Sequence, residues 1–118
     1  IDYDGADKIK TSLQEKVYFD FDKSALTDST KEVLSKYVEE SKKASIIRLE
    51  GHCDERGTRE YNLALGEKRA IEVKNYLIIQ GVPSSKIKII SYGEEKPISF
   101  GSTEDDWKQN RRVEIALF

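Results

Sequence analysis

The densest run of chemistry-bearing side chains is His52-Cys53-Asp54-Glu55-Arg56-Gly57-Thr58-Arg59, a polar stretch with one glycine that reads as a loop. Just downstream, Asn62, Leu65 and Arg69 recur at helical spacing, and the turn Asp22-Lys23-Ser24 makes a third polar cluster. The loop feeds directly into the helix that would carry Asn62, Leu65 and Arg69, so Asp54 is expected near that helix's first turns. An acid and a guanidinium would then meet at the rim of a cleft. Most such pairs are rim ion pairs worth under about 1 kcal/mol. Charges gathered at a cleft mark a binding site only in a minority of cases. Spacing alone leaves both readings open.

Two other chemistries fit the same loop less well. His52 and Cys53 are the only residues of their kinds, and no CxxC or HxxxH pattern exists elsewhere. Metal sites need ligands that converge, whereas consecutive residues on an extended loop diverge, so no metal and no other cofactor is expected. Asp54 and Glu55 likewise point apart and cannot flank one glycosidic bond. Ser24, Ser91 and Cys53 lack a second histidine to activate them. No catalytic residue is therefore expected. His52 is expected to be a strand-end side chain satisfied by neighbouring backbone.

The elements that position these groups follow from periodicity. Residues 1–16 have a glycine, several charges and no apolar run, and read as a lead-in or tether before a domain over 17–118. Val17, Phe19 and Phe21 alternate onto one side of a strand over 17–21. Thr27 suits the N-cap of a helix over about 28–43, whose apolar stripe is Val33, Leu34, Tyr37 and Val38. A second strand over 46–51 is expected with Ile47 and Leu49 pointing opposite ways. A second helix over 60–80 ends at Gly81-Val82-Pro83. Leu63, Gly66, Ala70, Val73 and Leu77 make its sheet-facing stripe; Asn62, Leu65 and Arg69 make a flank that is neither fully buried nor fully solvated. A third strand over 87–92, a long loop over 93–110 and a fourth strand over 111–118, with Val113, Ile115 and Leu117 on one face, complete the chain. The order β-α-β-α-β-β implies an α+β sandwich, two main helices packed on one side of a mixed sheet of about four strands.

Composition narrows the class. The 118 residues make one domain, with 36% charged residues and a net charge of −2. With a pI of about 5.5 the chain lacks the basic balance of a nucleic-acid binder. No stretch approaches the roughly 20 apolar residues that span a bilayer. One cysteine permits no internal disulfide.

The motifs say more than the spacing. Gly51-His52-Cys53-Asp54-Glu55-Arg56-Gly57-Thr58, then Tyr61-Asn62, Leu65-Gly66 and Arg69-Ala70, resemble the signature of the OmpA-like peptidoglycan-binding family. Tyr18-Phe19-Asp20-Phe21-Asp22-Lys23 resembles its first-strand motif, and Ser91-Tyr92-Gly93-Glu94-Glu95-Lys96-Pro97 with Asn110-Arg111-Arg112-Val113 its closing elements. The Asp54–Thr58 and Ser91–Pro97 runs are closer to lipoprotein members than to porin-linked or flagellar-motor ones. The resemblance covers about residues 17–118.

That resemblance implies a cleft for the diaminopimelate residue of the peptidoglycan stem peptide. Asp54 would receive the ligand's ammonium and Arg69 its free carboxylate, which a planar guanidinium can grip through two parallel hydrogen bonds. Phe21 and Asp22 would meet the ligand through their backbone, and Asn62 and Leu65 would line the helix side. Arg56, on the same loop, is expected to matter less. The resemblance also implies a periplasmic protein at the inner face of the Gram-negative outer membrane, held by a lipidated cysteine upstream of Ile1, and a β-propeller partner, TolB. An interaction module that docks TolB and binds little peptidoglycan is the alternative, with Trp107 and the 93–110 loop as its surface. Cys53, Arg59 and Trp107 stand where relatives carry a small residue, a proline and a tyrosine. Arg59 is expected to alter the rim potential, and Cys53 to be oxidisable if exposed.

Overall fold

The computed structural model describes residues 13–118; most of the expected lead-in, residues 1–12, lies outside them. Eight main elements follow in order: β1 (Leu13–Tyr18), α1 (Asp28–Ser35), α2 (Val38–Lys43), β2 (Ile47–His52), α3 (Arg59–Ile79), β3 (Ile87–Gly93), α4 (Glu104–Asn110) and β4 (Arg112–Leu117). A short 3₁₀ turn, Ser84–Lys86, leads into β3. The sheet runs β1-β4-β2-β3. β4 is antiparallel to both β1 and β2, while β2 and β3 are parallel. A parallel pair needs a long crossover, and the 21-residue α3 supplies it. The architecture is the expected α+β one, helices against a four-stranded mixed sheet.

Period-two burial builds the core. Val17, Ile47, Leu49, Val113, Ile115 and Leu117 point toward the helices, where Leu34, Ala70, Val73 and Leu77 meet them. Ile47 and Leu49 share that face instead of opposing each other, because residues two apart on a strand point the same way. α3 lies so close to the sheet that a Cβ added at Gly51 would fall 1.8 Å from the Gly66 carbonyl oxygen. The Ser91 hydroxyl donates to the Leu63 carbonyl at 2.7 Å and fixes the helix along its axis. Backbone contact of this kind sets the height of every α3 side chain above the sheet.

Four further expectations are corrected. β1 starts at Leu13 and ends at Tyr18, so Phe21 leaves the strand; it is 52% exposed, not a core residue. The helix expected over 28–43 is two helices. Thr27 caps the first as expected, accepting from the Thr30 amide. Near its end, however, the Ser35 hydroxyl takes the Glu32 carbonyl at 2.6 Å. Lys36 and Tyr37 then bond back three residues, to Val33 and Leu34, which tightens the last turn and stops it. Leu63 is 44% exposed, beyond the edge of the sheet-facing stripe. The 93–110 loop contains α4, capped reciprocally by Thr103 and Asp106.

Candidate functional site

Three segments meet at the end of the sheet where β1 and β2 stop. After Phe19 the chain turns, with the Lys23 amide donating to the Asp20 carbonyl at 3.2 Å. Asp22 there adopts φ +57°, a left-handed conformation that aspartate tolerates better than most residues. β2 ends in a register shift between Gly51 and His52, which releases the chain into the 53–58 loop. Thr58 then accepts the Tyr61 amide at 3.1 Å and starts α3. The two turns and the first three turns of the helix enclose a cleft of about 400 Å³. All six residues singled out from the sequence line it: Phe21, Asp22, Asp54, Asn62, Leu65 and Arg69. Cys53, Arg56 and Tyr61 line it as well.

Arg69 holds the cleft together. Only 1% exposed, it donates from Nε to the Lys23 carbonyl (2.8 Å), from Nη1 to the His52 carbonyl (2.9 Å), and from Nη2 to the Asp20 carbonyl (3.1 Å). Nη1 also reaches Cys53 Sγ at 3.4 Å. A guanidinium has five N–H groups, so these bonds leave one on Nη2, and the two-bond grip on a carboxylate is reduced to one at most. The flank expected to be half-exposed is buried at Asn62 and Arg69 because these polar ends reach backbone carbonyls. Asn62 Nδ2 meets the carbonyls of Asp54 (3.3 Å) and Arg56 (3.0 Å) and the Glu94 carboxylate (3.0 Å).

Asp54 is 4% exposed. Its Oδ1 accepts from the Arg56 amide (3.0 Å) and Nε (3.2 Å), and its Oδ2 from Arg56 Nη2 (2.8 Å). Arg111 Nη1 stands 3.5 Å from the same Oδ2. Burial pushes this carboxyl up, but the bonds from Arg56 and Arg111 outweigh that and hold it below its ordinary value. Asp22 accepts from the Tyr61 hydroxyl across the mouth. Cys53 is buried, its thiol pushed up to about 11 by that burial, and it donates to the Asn62 carbonyl, so it is not a reactive thiol. Arg59 pairs with Glu95 at 2.7 Å on the exposed rim.

Sequence reasoning missed the partners of Asp54. Arg56 was expected to be secondary, yet its guanidinium lies 3.8 Å from the Phe21 ring centroid and 4.0 Å from that of Trp107. Arg111 comes from 57 residues away, and no spacing rule reaches that far. His52 is corrected too: among the described residues neither ring nitrogen has a hydrogen-bond partner, and the ring stacks on Tyr92 at 5.4 Å.

A family model, the OmpA family, matches residues 18–111, a span that runs from the end of β1 to the threshold of β4. The chain belongs to the OmpA family. It is 46% identical over 99 residues to the peptidoglycan-associated lipoprotein of Pseudomonas putida, covering 83% of this chain and 60% of that protein. The chain thus spans about 60% of the length of the first curated relatives it matches. Among solved structures it resembles the peptidoglycan-associated lipoprotein from Burkholderia pseudomallei, with a TM-score of 0.83 and 40% identity over 87% of this chain and 89% of that one. The OmpA-like domain of FopA1 from Francisella tularensis gives a TM-score of 0.75 at 26% identity, over 88% and 70% of the two chains.

Proposed function

We propose that this cleft binds peptidoglycan without covalent chemistry, taking the zwitterionic end of the diaminopimelate residue in the stem peptide. The observation that carries the reading is that Asp54 and Arg69, from a loop and a helix, line one open cleft instead of closing on each other. The ligand's ammonium meets Asp54 at Oδ2, whose second acceptor direction is held only by the 3.5 Å contact to Arg111. Its carboxylate meets the remaining Nη2 hydrogen of Arg69. Leu65 supplies an apolar wall, Asn62 fixes the loop, and the backbone of Phe21 and Asp22 closes the opposite side. The likeness to the peptidoglycan-associated lipoproteins supports the wider role: a periplasmic domain, not an enzyme, that tethers the outer membrane to the cell wall. In this reading a lipidated N-terminal cysteine outside the chain supplies the membrane link, and a TolB-type β-propeller is a partner. Phe100, 85% exposed beside α4, favours a protein-docking surface on that side. Trp107 does not, because its ring is engaged by Arg56.

Calorimetric titration with a diaminopimelate stem peptide, repeated with the lysine-containing version, tests the site. Losing the carboxylate removes a charge-assisted hydrogen bond and is expected to weaken binding about tenfold or more. Equal affinity for the two peptides would show that Arg69 reads no carboxylate.

A further inference from the structure

The arrangement around Arg56 exceeds what a loop side chain needs. Its guanidinium is sandwiched between two aromatic faces, Phe21 from the turn after β1 and Trp107 from α4. Its edge meets both oxygens of Asp54 in a side-by-side fork. Trp107 is itself fixed, donating from Nε1 to Glu55 at 2.9 Å, and Glu55 also accepts from the Ser102 hydroxyl at 2.6 Å. Arg111, the second cation on Asp54, is tied to the Phe19 carbonyl at 2.9 Å and to Glu104 of α4 at 2.8 Å. A planar cation between rings is held in a plane as well as in place, which an ammonium cannot match.

We propose that Arg56, clamped between Phe21 and Trp107, is a positioning residue of the cleft: it fixes the Asp54 carboxylate in the orientation in which a cationic group of the ligand meets Oδ2. This deepens the peptidoglycan reading and rests on it. α4 then takes part in recognition without touching the ligand, since Trp107 sets the plane of Arg56 and Arg56 sets Asp54. The charged and titratable groups facing Asp54 are Cys53, Glu55 and Arg56 of its own loop, Arg69 of α3, Glu104 of α4 and Arg111 beyond it. Among the described residues, removing Arg56 leaves Arg111 as the one cation in contact with the carboxylate. Burial then dominates and raises the pH at which Asp54 loses its charge.

The test is titration of the diaminopimelate stem peptide into the wild-type chain, Arg56→Ala, Arg56→Lys and Trp107→Leu, each between pH 8 and about pH 5, where the ligand's distal end stays zwitterionic. Wild-type affinity should hold nearly constant across that range. Arg56→Ala should bind about tenfold more weakly at pH 8 and lose further affinity toward pH 5. Arg56→Lys should recover little of the loss at pH 8, because lysine keeps the charge without the fork. Trp107→Leu should fall between Arg56→Ala and wild type. Far-ultraviolet circular dichroism identifies any variant that fails to fold, and Trp107→Tyr, which keeps a ring, then takes its place with a smaller loss. Unchanged or tighter binding by Arg56→Ala, or a loss with a flat pH profile, overturns the positioning role. Asp54→Ala separates the two claims. If it too binds normally the peptidoglycan site is wrong, whereas if it alone loses binding only the role of Arg56 fails.

Discussion

Two regions of this molecule are dense in charge, and they differ in where their charges come from. On the sheet face away from the helices, Arg48 pairs with Glu50 at 3.0 Å and Arg112 with Glu114 at 2.7 Å. Both pairs sit two residues apart on one strand, so they share a face and close on each other. Arg48, Glu50 and Glu114 border a depression of about 210 Å³. At the loop end the charges come from separate elements: Asp54 and Arg56 from the loop, Arg69 from α3 and Arg111 from before β4. Their backbones converge around a cleft of about 400 Å³ that short-range pairing cannot fill. Charge density therefore does not mark the site. What sets the cleft apart is that its charges reach it from a loop, a helix and the segment before β4.

The comparison breaks most visibly at Arg69. Arg69→Ala would remove the side-chain donor to the carbonyls of Lys23 and His52, and would leave the Asp20 carbonyl only the Lys23 amide. A buried unpaired group costs about 1–3 kcal/mol, and of these carbonyls only that of His52 belongs to a buried residue, so a loss of about 2 kcal/mol is expected. Stem-peptide binding should vanish with it. Arg69→Lys should recover part of the stability, having three donors for the same carbonyls, and little of the binding. Urea midpoints and titration at one temperature give both numbers. Full stability in Arg69→Ala would mean that the two turns are held by something else.

A second effect, smaller, separates charge in the cleft from charge on the sheet. The Asp54 carboxyl is held below its ordinary value of 3.8, so its ionised form is favoured in the folded state. Its contribution to stability is present above that ordinary value and is lost as pH falls through the lower, folded one. Asp54→Asn should be less stable than wild type at neutral pH, and the gap should close as acid unfolding is followed below 3.8. A gap that stays constant to pH 2 would place the stabilising charge elsewhere.

How much of this was legible in the sequence follows from the range of each interaction. Local periodicity gave three of the four strands, the α3 core stripe from Gly66 to Leu77 and the Thr27 cap, because those signals lie within one or two turns. The motif resemblance gave all six cleft residues, which spacing alone left undecided between an ion pair and a ligand site. The break after Ser35 depended on one hydroxyl choosing a carbonyl three residues back. The helix α4 was signalled by Thr103 and Asp106 at capping-box spacing and went unread inside a loop rich in glycine and serine. The Phe21–Arg56–Trp107 stack was not readable, since its members lie 35 and 51 residues apart and meet only through the fold.

The smallest expected effect lies on the sheet face, at His52. Its ring is 1% exposed, neither nitrogen has a hydrogen-bond partner among the described residues, and Nε2 stands 3.8 Å from Glu50 and 3.9 Å from Glu114. Those separations are too long for hydrogen bonds, so the ring contributes mainly its stack on Tyr92 at 5.4 Å. Phenylalanine keeps that stack and removes two buried polar atoms. His52→Phe should therefore leave stability unchanged or raise it by about 1 kcal/mol. Binding should not move, because the part of His52 that serves the cleft is its carbonyl, held by Arg69. Thermal unfolding decides the matter. A variant less stable than wild type would show that Glu50 or Glu114 holds the imidazole across those longer separations.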